Sequence, residues 1–200
     1  MIDKWYKMKL VLATQNKNKL KEIQELLPIH WNVLTLDQVG IYNELSETGE
    51  TLESNALQKA NYVFEKTGLA TLADDSGLEV ESLSGAPGVH SARYASDSKS
   101  DSANRIKLLQ EMKSTNNRRG QFRTILAFRD NEVSKLFEGV VQGMISKKEI
   151  GDNGFGYDSI FSPLESNELT FAQMDLSAKQ KISHRSKAIK LWLLWFLNEK

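Results

Sequence analysis

Residues 73–77 read A-D-D-S-G, two adjacent carboxylates and a hydroxyl directly after an apolar run. Like charges side by side repel, so the pair needs a reason to be there. An Asx-type turn in water is one. A magnesium ion is another, because Mg²⁺ takes one or two protein carboxylates and completes its octahedron with waters and phosphate oxygens. In that case the pair faces a cation, and Glu47 of S-E-T-G (46–49), just before an expected helix, could supply a second carboxylate. Spacing alone leaves both readings open.

Three further stretches carry reactive or binding groups. T-Q-N-K-N-K places Thr14, Gln15, Asn16, Lys17, Asn18 and Lys19 between an apolar strand and a helix. Free backbone N–H groups and the positive dipole end at such a junction suit an anion. A solvated, lysine-rich helix start is the plainer explanation, and the glycines of a P-loop are missing. G-D-N-G-F-G-Y-D (151–158) sets Phe155, Gly156, Tyr157 and Asp158 among three glycines. Glycine lets backbone approach a ligand, and the two rings offer faces on which a base can stack. Its plain alternative is a surface loop. L-S-A-K-Q-K-I-S-H-R (176–185) carries Lys179, His184 and Arg185. On one unbroken helix, His184 lies ~140° and Arg185 ~240° around the axis from Lys179, too far apart to meet one ligand. A break near Ile182 is therefore expected, with Ser183 capping a second helix that opens on His184 and Arg185. Cations at a helix start are disfavoured unless an anion or a carbonyl receives them.

The elements that must position these groups alternate between strand and helix. Lys9–Thr14 reads as a buried strand, and Leu20, Ile23, Leu26 and Leu27 recur at helical spacing before Pro28. Trp31–Leu36 is a second strand. Thr51 can cap a helix with Leu52, Ala56, Ala60 and Val63 on one face and Gly68 past its end. Leu69–Ala73 and Leu78–Leu83 read as strands flanking a D-D-S-G turn. Ser84–Ala95 is a loop, and Ile106, Leu109 and Met112 mark a helix. Phe122–Arg129 and Val133–Gly143 flank the turn-type tetrapeptide R-D-N-E, an antiparallel hairpin signal. Ser177 with Gln180 reads as a capping box, and Ile189, Trp192, Leu193 and Phe196 as a core-facing tail helix. This pattern predicts an α/β domain with a mixed sheet.

Composition narrows the chemistry. Two hundred residues, 40% apolar and 26% charged, suffice for a substantial core. Lys+Arg and Asp+Glu both number 26, so no net charge draws the chain toward nucleic acid or an anionic membrane, and an anion site must be local. Without cysteine there is no thiolate catalysis and no sulfur-ligated metal. His30, His90 and His184 lack zinc-ligand spacing. The longest apolar run, 191–197, is far too short to cross a bilayer, and no signal peptide opens the chain, so a cytoplasmic location is expected. Residues 1–7 precede a second Met8 and read as an extension that adds little to the fold; residues 8–200 read as one domain.

T-x-N-x-x-K after the first strand, A-D-D-S-G-L, G-A-P-G-V-x-S-A-R-Y-A, G-F-G-Y-D and S-H-R occur here in one order. That order resembles the inosine/xanthosine triphosphate pyrophosphatase family, over nearly the whole chain from Leu10. The resemblance implies a long mixed β-sheet flanked by helices, forming two lobes with a central active-site cleft. It also implies a homodimer and Mg²⁺-dependent hydrolysis of ITP, dITP and XTP to the monophosphate and pyrophosphate. Carried over by position, Thr14–Lys19 look like the triphosphate loop, Asp75 like the catalytic carboxylate and Ser76 like a substrate contact. Phe155–Asp158, Lys179, His184 and Arg185 match the remaining substrate positions, and Glu47 the extra metal carboxylate. Three departures stand out: Ser54 where many relatives carry Glu, His90 where Tyr is usual, and Ser159 in place of a proline. The rival readings are a pyrimidine-directed pyrophosphatase of similar fold and a non-catalytic module that binds nucleotides or single-stranded nucleic acid.

Overall fold

The computed structural model describes residues 8–199; the expected extension 1–7 lies outside them. Six strands form one sheet in the order β2-β1-β3-β4-β5-β6. β1 (Lys9–Ala13) is paired in parallel with β2 (Asn32–Leu34) on one side and β3 (Ala70–Val80) on the other. Parallel strands are covered on both faces, so side chains pointing either way must be apolar, and Leu10, Val11, Leu12 and Ala13 are all buried. β4 (Arg119–Arg129) and β5 (Ser134–Ile145) are joined by residues 130–133, a link that leaves room only for a hairpin. Asp130 closes it by accepting the Glu132 and Val133 N–H groups at 2.9 and 2.8 Å. The sheet ends on β6 (Phe161–Pro163), antiparallel to β5.

The chain divides into two compact units, and β3 passes from the first to the second between Asp75 and Ser76. The first contains residues up to Asp75, 125–138 and 188 onward. Its core is Leu10, Leu12, Ile23, Leu72 and Phe128 packed with Trp31, Trp192 and Phe196. The tail helix α5 (His184–Glu199) thus delivers Ile189, Trp192 and Phe196 to the core as its periodicity predicts. The second unit, 76–124 and 139–187, is centred on Leu78, Val80, Leu108, Phe122, Tyr157, Phe161 and Phe171. No described helix is long and apolar enough to cross a membrane.

Several local expectations are corrected. The largest is A-D-D-S-G: it is the middle of β3, an unbroken eleven-residue strand, and not a turn between two strands. Asp and Gly signal turns when water receives their polar groups, but here each finds an internal partner. Gly77 is needed because a Cβ there would lie 2.3 Å from the Gly88 carbonyl. The first helix, α1 (Lys17–Gln24), starts three residues earlier than Leu20. The helix α3 (Asp101–Glu111) turns Asn104 and Leu108 inward, with Leu109 against the core and Met112 buried at its end as expected, but Ile106 is half exposed. Asp175, not Ser177, caps α4 (Leu176–Ile182), accepting the Ala178 N–H at 2.7 Å. The break before His184 is as expected: Ser183 is extended, and its hydroxyl accepts the Ser186 N–H at 3.2 Å.

Candidate functional site

The candidate residues form two sets, one in each unit. In the first, α2 (Leu52–Thr67) starts on a capping box in which Thr51 Oγ1 accepts the Ser54 N–H and Ser54 Oγ accepts the Thr51 N–H. Ser54 therefore works as a helix cap where a glutamate would offer a carboxylate. The preceding S-E-T-G segment is tied along the same helix. Asn55 Oδ1 accepts the Gly49 N–H at 2.8 Å, and the Gln58 amide exchanges hydrogen bonds with Thr48. A Cβ on Gly49 would lie 2.0 Å from Ser54 Oγ, so only glycine lets the segment sit this close. These ties fix Glu47 one residue upstream.

Lys59, also on α2, meets it there. Its ammonium donates to Glu47 Oε1 at 2.8 Å, Asp75 Oδ1 at 2.7 Å and the Asp74 carbonyl at 2.8 Å. One buried cation thus bridges the two carboxylates that the sequence nominated for a metal. Burial is the largest single influence on Lys59 and pulls its pKa down, but Asp75 and Glu47 together outweigh it and hold the ammonium above its usual range. Asp75 is pushed up, chiefly by burial and further by the Glu47 charge, against the pull of Lys59 and Lys19. A carboxylate held above its ordinary range is a better proton acceptor near neutrality. Asp74, fully buried, forms an ion pair with Lys19. The second acid of the pair therefore anchors the lysine loop to β3.

In that loop Asn16 caps α1, its Oδ1 accepting the Asn18 and Lys19 N–H groups at 3.0 and 3.1 Å. Thr14 Oγ1 accepts the Asn16 N–H, and Gln15 donates to the Asn43 carbonyl at 2.9 Å. Part of the N–H donor set expected to face an anion is thus spent inside the loop. Lys17 and Asn18 are exposed.

In the second unit, Asp158 Oδ2 accepts both the Phe155 N–H at 2.9 Å and the Lys179 ammonium at 2.6 Å. Lys179 Nζ lies 4.8 Å from the Phe155 ring centre, and the Arg185 guanidinium lies 5.9 Å from it. Arg185 donates to Ser76 Oγ at 3.2 Å, and Ser76 shares a 2.7 Å hydrogen bond with Thr124. His184 stacks on Phe122 with 4.7 Å between ring centres. The helix break does what the geometry demanded: Lys179 from α4 and Arg185 from α5 reach the same ring. Tyr157 differs from the expectation of a stacking face. Its ring is in the core, only 4% exposed, and its hydroxyl donates to the Ser91 carbonyl at 2.8 Å.

The residue the sequence reading missed is Lys59. A signal existed: three after Ala56 and four before Val63, it falls on the apolar stripe of α2. A lysine on a buried stripe has a partner or a function. Thr124, one residue of an alternating strand, offered no such signal.

The Ham1 family pattern matches residues 10–195. A dITP/XTP pyrophosphatase from Flavobacterium psychrophilum is 47% identical over 191 residues, covering 96% of this chain and all of the relative. One of the same name from Bacillus subtilis is 42% identical over 184 residues, 90% of this chain and 92% of the relative. Among solved structures, the Ham1 protein of Staphylococcus aureus superposes with a TM-score of 0.87 at 37% identity, covering 96% of this chain and all of that one. With the family pattern spanning both sets of residues, this chain belongs to the Ham1 family.

Proposed function

We propose that this protein hydrolyses deaminated purine nucleoside triphosphates, of the ITP, dITP and XTP type, to the monophosphate and pyrophosphate. The observation that carries the reading is the Glu47–Lys59–Asp75 bridge beside the lysine-bearing start of α1. Carboxylates repel phosphates unless cations intervene, and this set is arranged around one cation already. Relatives named dITP/XTP pyrophosphatase support the substrate class.

A divalent metal accords with the family, and the donor set fits Mg²⁺. Glu47 and Asp75 are hard oxygen ligands close enough to share one cation, and among the described residues no cage of three or more protein ligands is present. That is the pattern of an ion that relies on substrate oxygens and water. Glu47 and Asp75 would hold it, and when bound it would neutralise phosphate charge and lower the pKa of water.

The protein's own groups carry the remaining steps. Asp75 accepts the proton of the water that attacks the α-phosphorus, and the bond to the β-phosphate oxygen breaks. Lys19 and Lys59 place two ammonium groups by Asp74 and Asp75, where they offset charge on the departing pyrophosphate. Phe155 stacks on the base. Arg185 donates to O6 of hypoxanthine or xanthine; adenine presents an amino donor there, so the pair is lost, which accounts for discrimination of several powers of ten.

The direct test is pyrophosphate release from ITP, XTP, GTP, ATP and dTTP, with Mg²⁺ and then with EDTA. Metal-dependent turnover of ITP and XTP is expected. Preferred turnover of dTTP would establish the pyrimidine-directed reading instead, and salt-sensitive binding with no turnover would make the protein a binding module. Arg185→Ala is expected to raise KM for ITP about 10- to 100-fold, the value of a charged hydrogen bond, and to narrow the ITP-over-ATP preference. An unchanged KM would remove Arg185 from base reading.

A further inference from the structure

The loop that carries Phe155 is held by charges that the proposed reaction does not use. Phe155 lies between Gly154 and Gly156, both with positive φ, +79° and +60°. Two glycines in such conformations leave a backbone free to take other shapes unless something restrains it. Asp158 restrains Phe155 itself, accepting its N–H at 2.9 Å and donating its own N–H to the Phe155 carbonyl at 3.1 Å, and helix α3 adds a second restraint one residue on, at Gly156. Asp101 Oδ2 accepts the Gly156 N–H at 2.7 Å, and Arg105 Nη1 donates to the Gly156 carbonyl at 2.7 Å. The peptide groups on both sides of Gly156 are thus gripped by opposite charges one helical turn apart. Both are charge-assisted bonds, the stronger kind. Arg105 reaches further: its Nε donates to Glu149 Oε2 at 2.8 Å, and Ser159 Oγ donates to the same oxygen at 3.1 Å. Glu149 and Ser159 stand at the neck of the loop, which the Ile150 N–H closes onto the Ser159 carbonyl at 2.8 Å. One guanidinium therefore ties the tip of the loop to its neck.

We propose that Asp101 and Arg105 are positioning residues that set the place of the Phe155 ring, so that affinity for the purine depends on a salt-linked clamp acting only through the loop backbone. The proposal rests on Phe155 being the ring that stacks on the base. Phe155 works with Lys179 at 4.8 Å and Arg185 at 5.9 Å, and both contacts depend on where the ring is held. Tyr157, two residues on, stays fixed in the core whatever the clamp does, so releasing the clamp frees the tip without unfolding the unit.

Two measurements test this. Hydrogen exchange on nucleotide-free protein should show faster exchange across residues 153–157 in Arg105→Ala and in Asp101→Asn, with other segments unchanged. Steady-state kinetics should show Arg105→Ala raising KM for ITP about fivefold with kcat within about twofold, the loss expected when one side chain must be ordered on binding. In a Phe155→Ala background the same change should alter KM by less than about twofold, because its effect travels through the ring. Unchanged exchange across 153–157, or an equal KM effect with and without Phe155, would overturn the clamp. Absence of ITP turnover by the unaltered protein would defeat the proposed function instead, and the exchange measurement would still decide the clamp.

Discussion

Asp75→Asn is expected to lower kcat for ITP roughly 10³-fold, within the range for loss of a general base. The asparagine keeps the shape of the side chain and a hydrogen-bond acceptor for Lys59, but it accepts no proton and is a poor metal ligand. The physical setting makes the loss large. Asp75 is buried, its carboxyl is pushed above the ordinary range, and two lysines stand close enough to pull on it. The two neighbouring carboxylates are engaged with cations of their own, Glu47 with Lys59 and Asp74 with Lys19. Comparing kcat of the variant with that of the unaltered protein, at saturating Mg²⁺ and ITP, decides the point. Turnover near the unaltered rate would show that another group activates the water.

The second large effect is on stability. Lys59→Met replaces a buried ammonium by an apolar chain of similar length and removes the cation that bridges Glu47 and Asp75. Breaking a buried pair from one side costs about 3–5 kcal/mol, which lowers Tm by about 10 °C in a chain of this size. Its pH dependence follows from the raised pKa of Lys59. The folded state holds that proton more tightly than the unfolded chain does. The stabilisation is therefore fully present below the ordinary lysine range and is lost only as pH rises through the folded value above it. The Tm gap between the two proteins should stay open through the alkaline range to about pH 10 and close only beyond it. Added Mg²⁺ should raise Tm of Lys59→Met more than Tm of the unaltered protein, since an ion that binds the native state alone stabilises it by mass action. A variant as stable as its parent in EDTA would show that the lysine contributes no net compensation to the two carboxylates.

Much of this was legible in the chain. The buried strand β1, the capped α2 with its terminal glycine, the β4–β5 hairpin and the break before His184 were all written in local residue choice. Helix caps, turn residues and side-chain periodicity act over a few residues, so a linear reading reaches them. The break at Ser183 could be inferred from angular spacing because Lys179 and Arg185 cannot serve one ligand from one straight helix. The order of the motifs carried the family, whose pattern matches residues 10–195.

What the sequence could not determine was which polar groups would be paired, and with whom. A-D-D-S-G reads as a turn because nothing local neutralises two aspartates. It is a strand because Lys19 and Lys59, fifty-five and sixteen residues before Asp74 and Asp75 respectively, bring ammonium groups to them, and because Gly88 packs where any side chain on Gly77 would stand. Tyr157 reads as an exposed ring in a glycine-rich loop and is a core residue, because its partner Ser91 comes from a distant segment. Local chemistry singled out the two adjacent acids; only the tertiary structure, by supplying opposite charge from remote helices, decided that they could be buried on one strand.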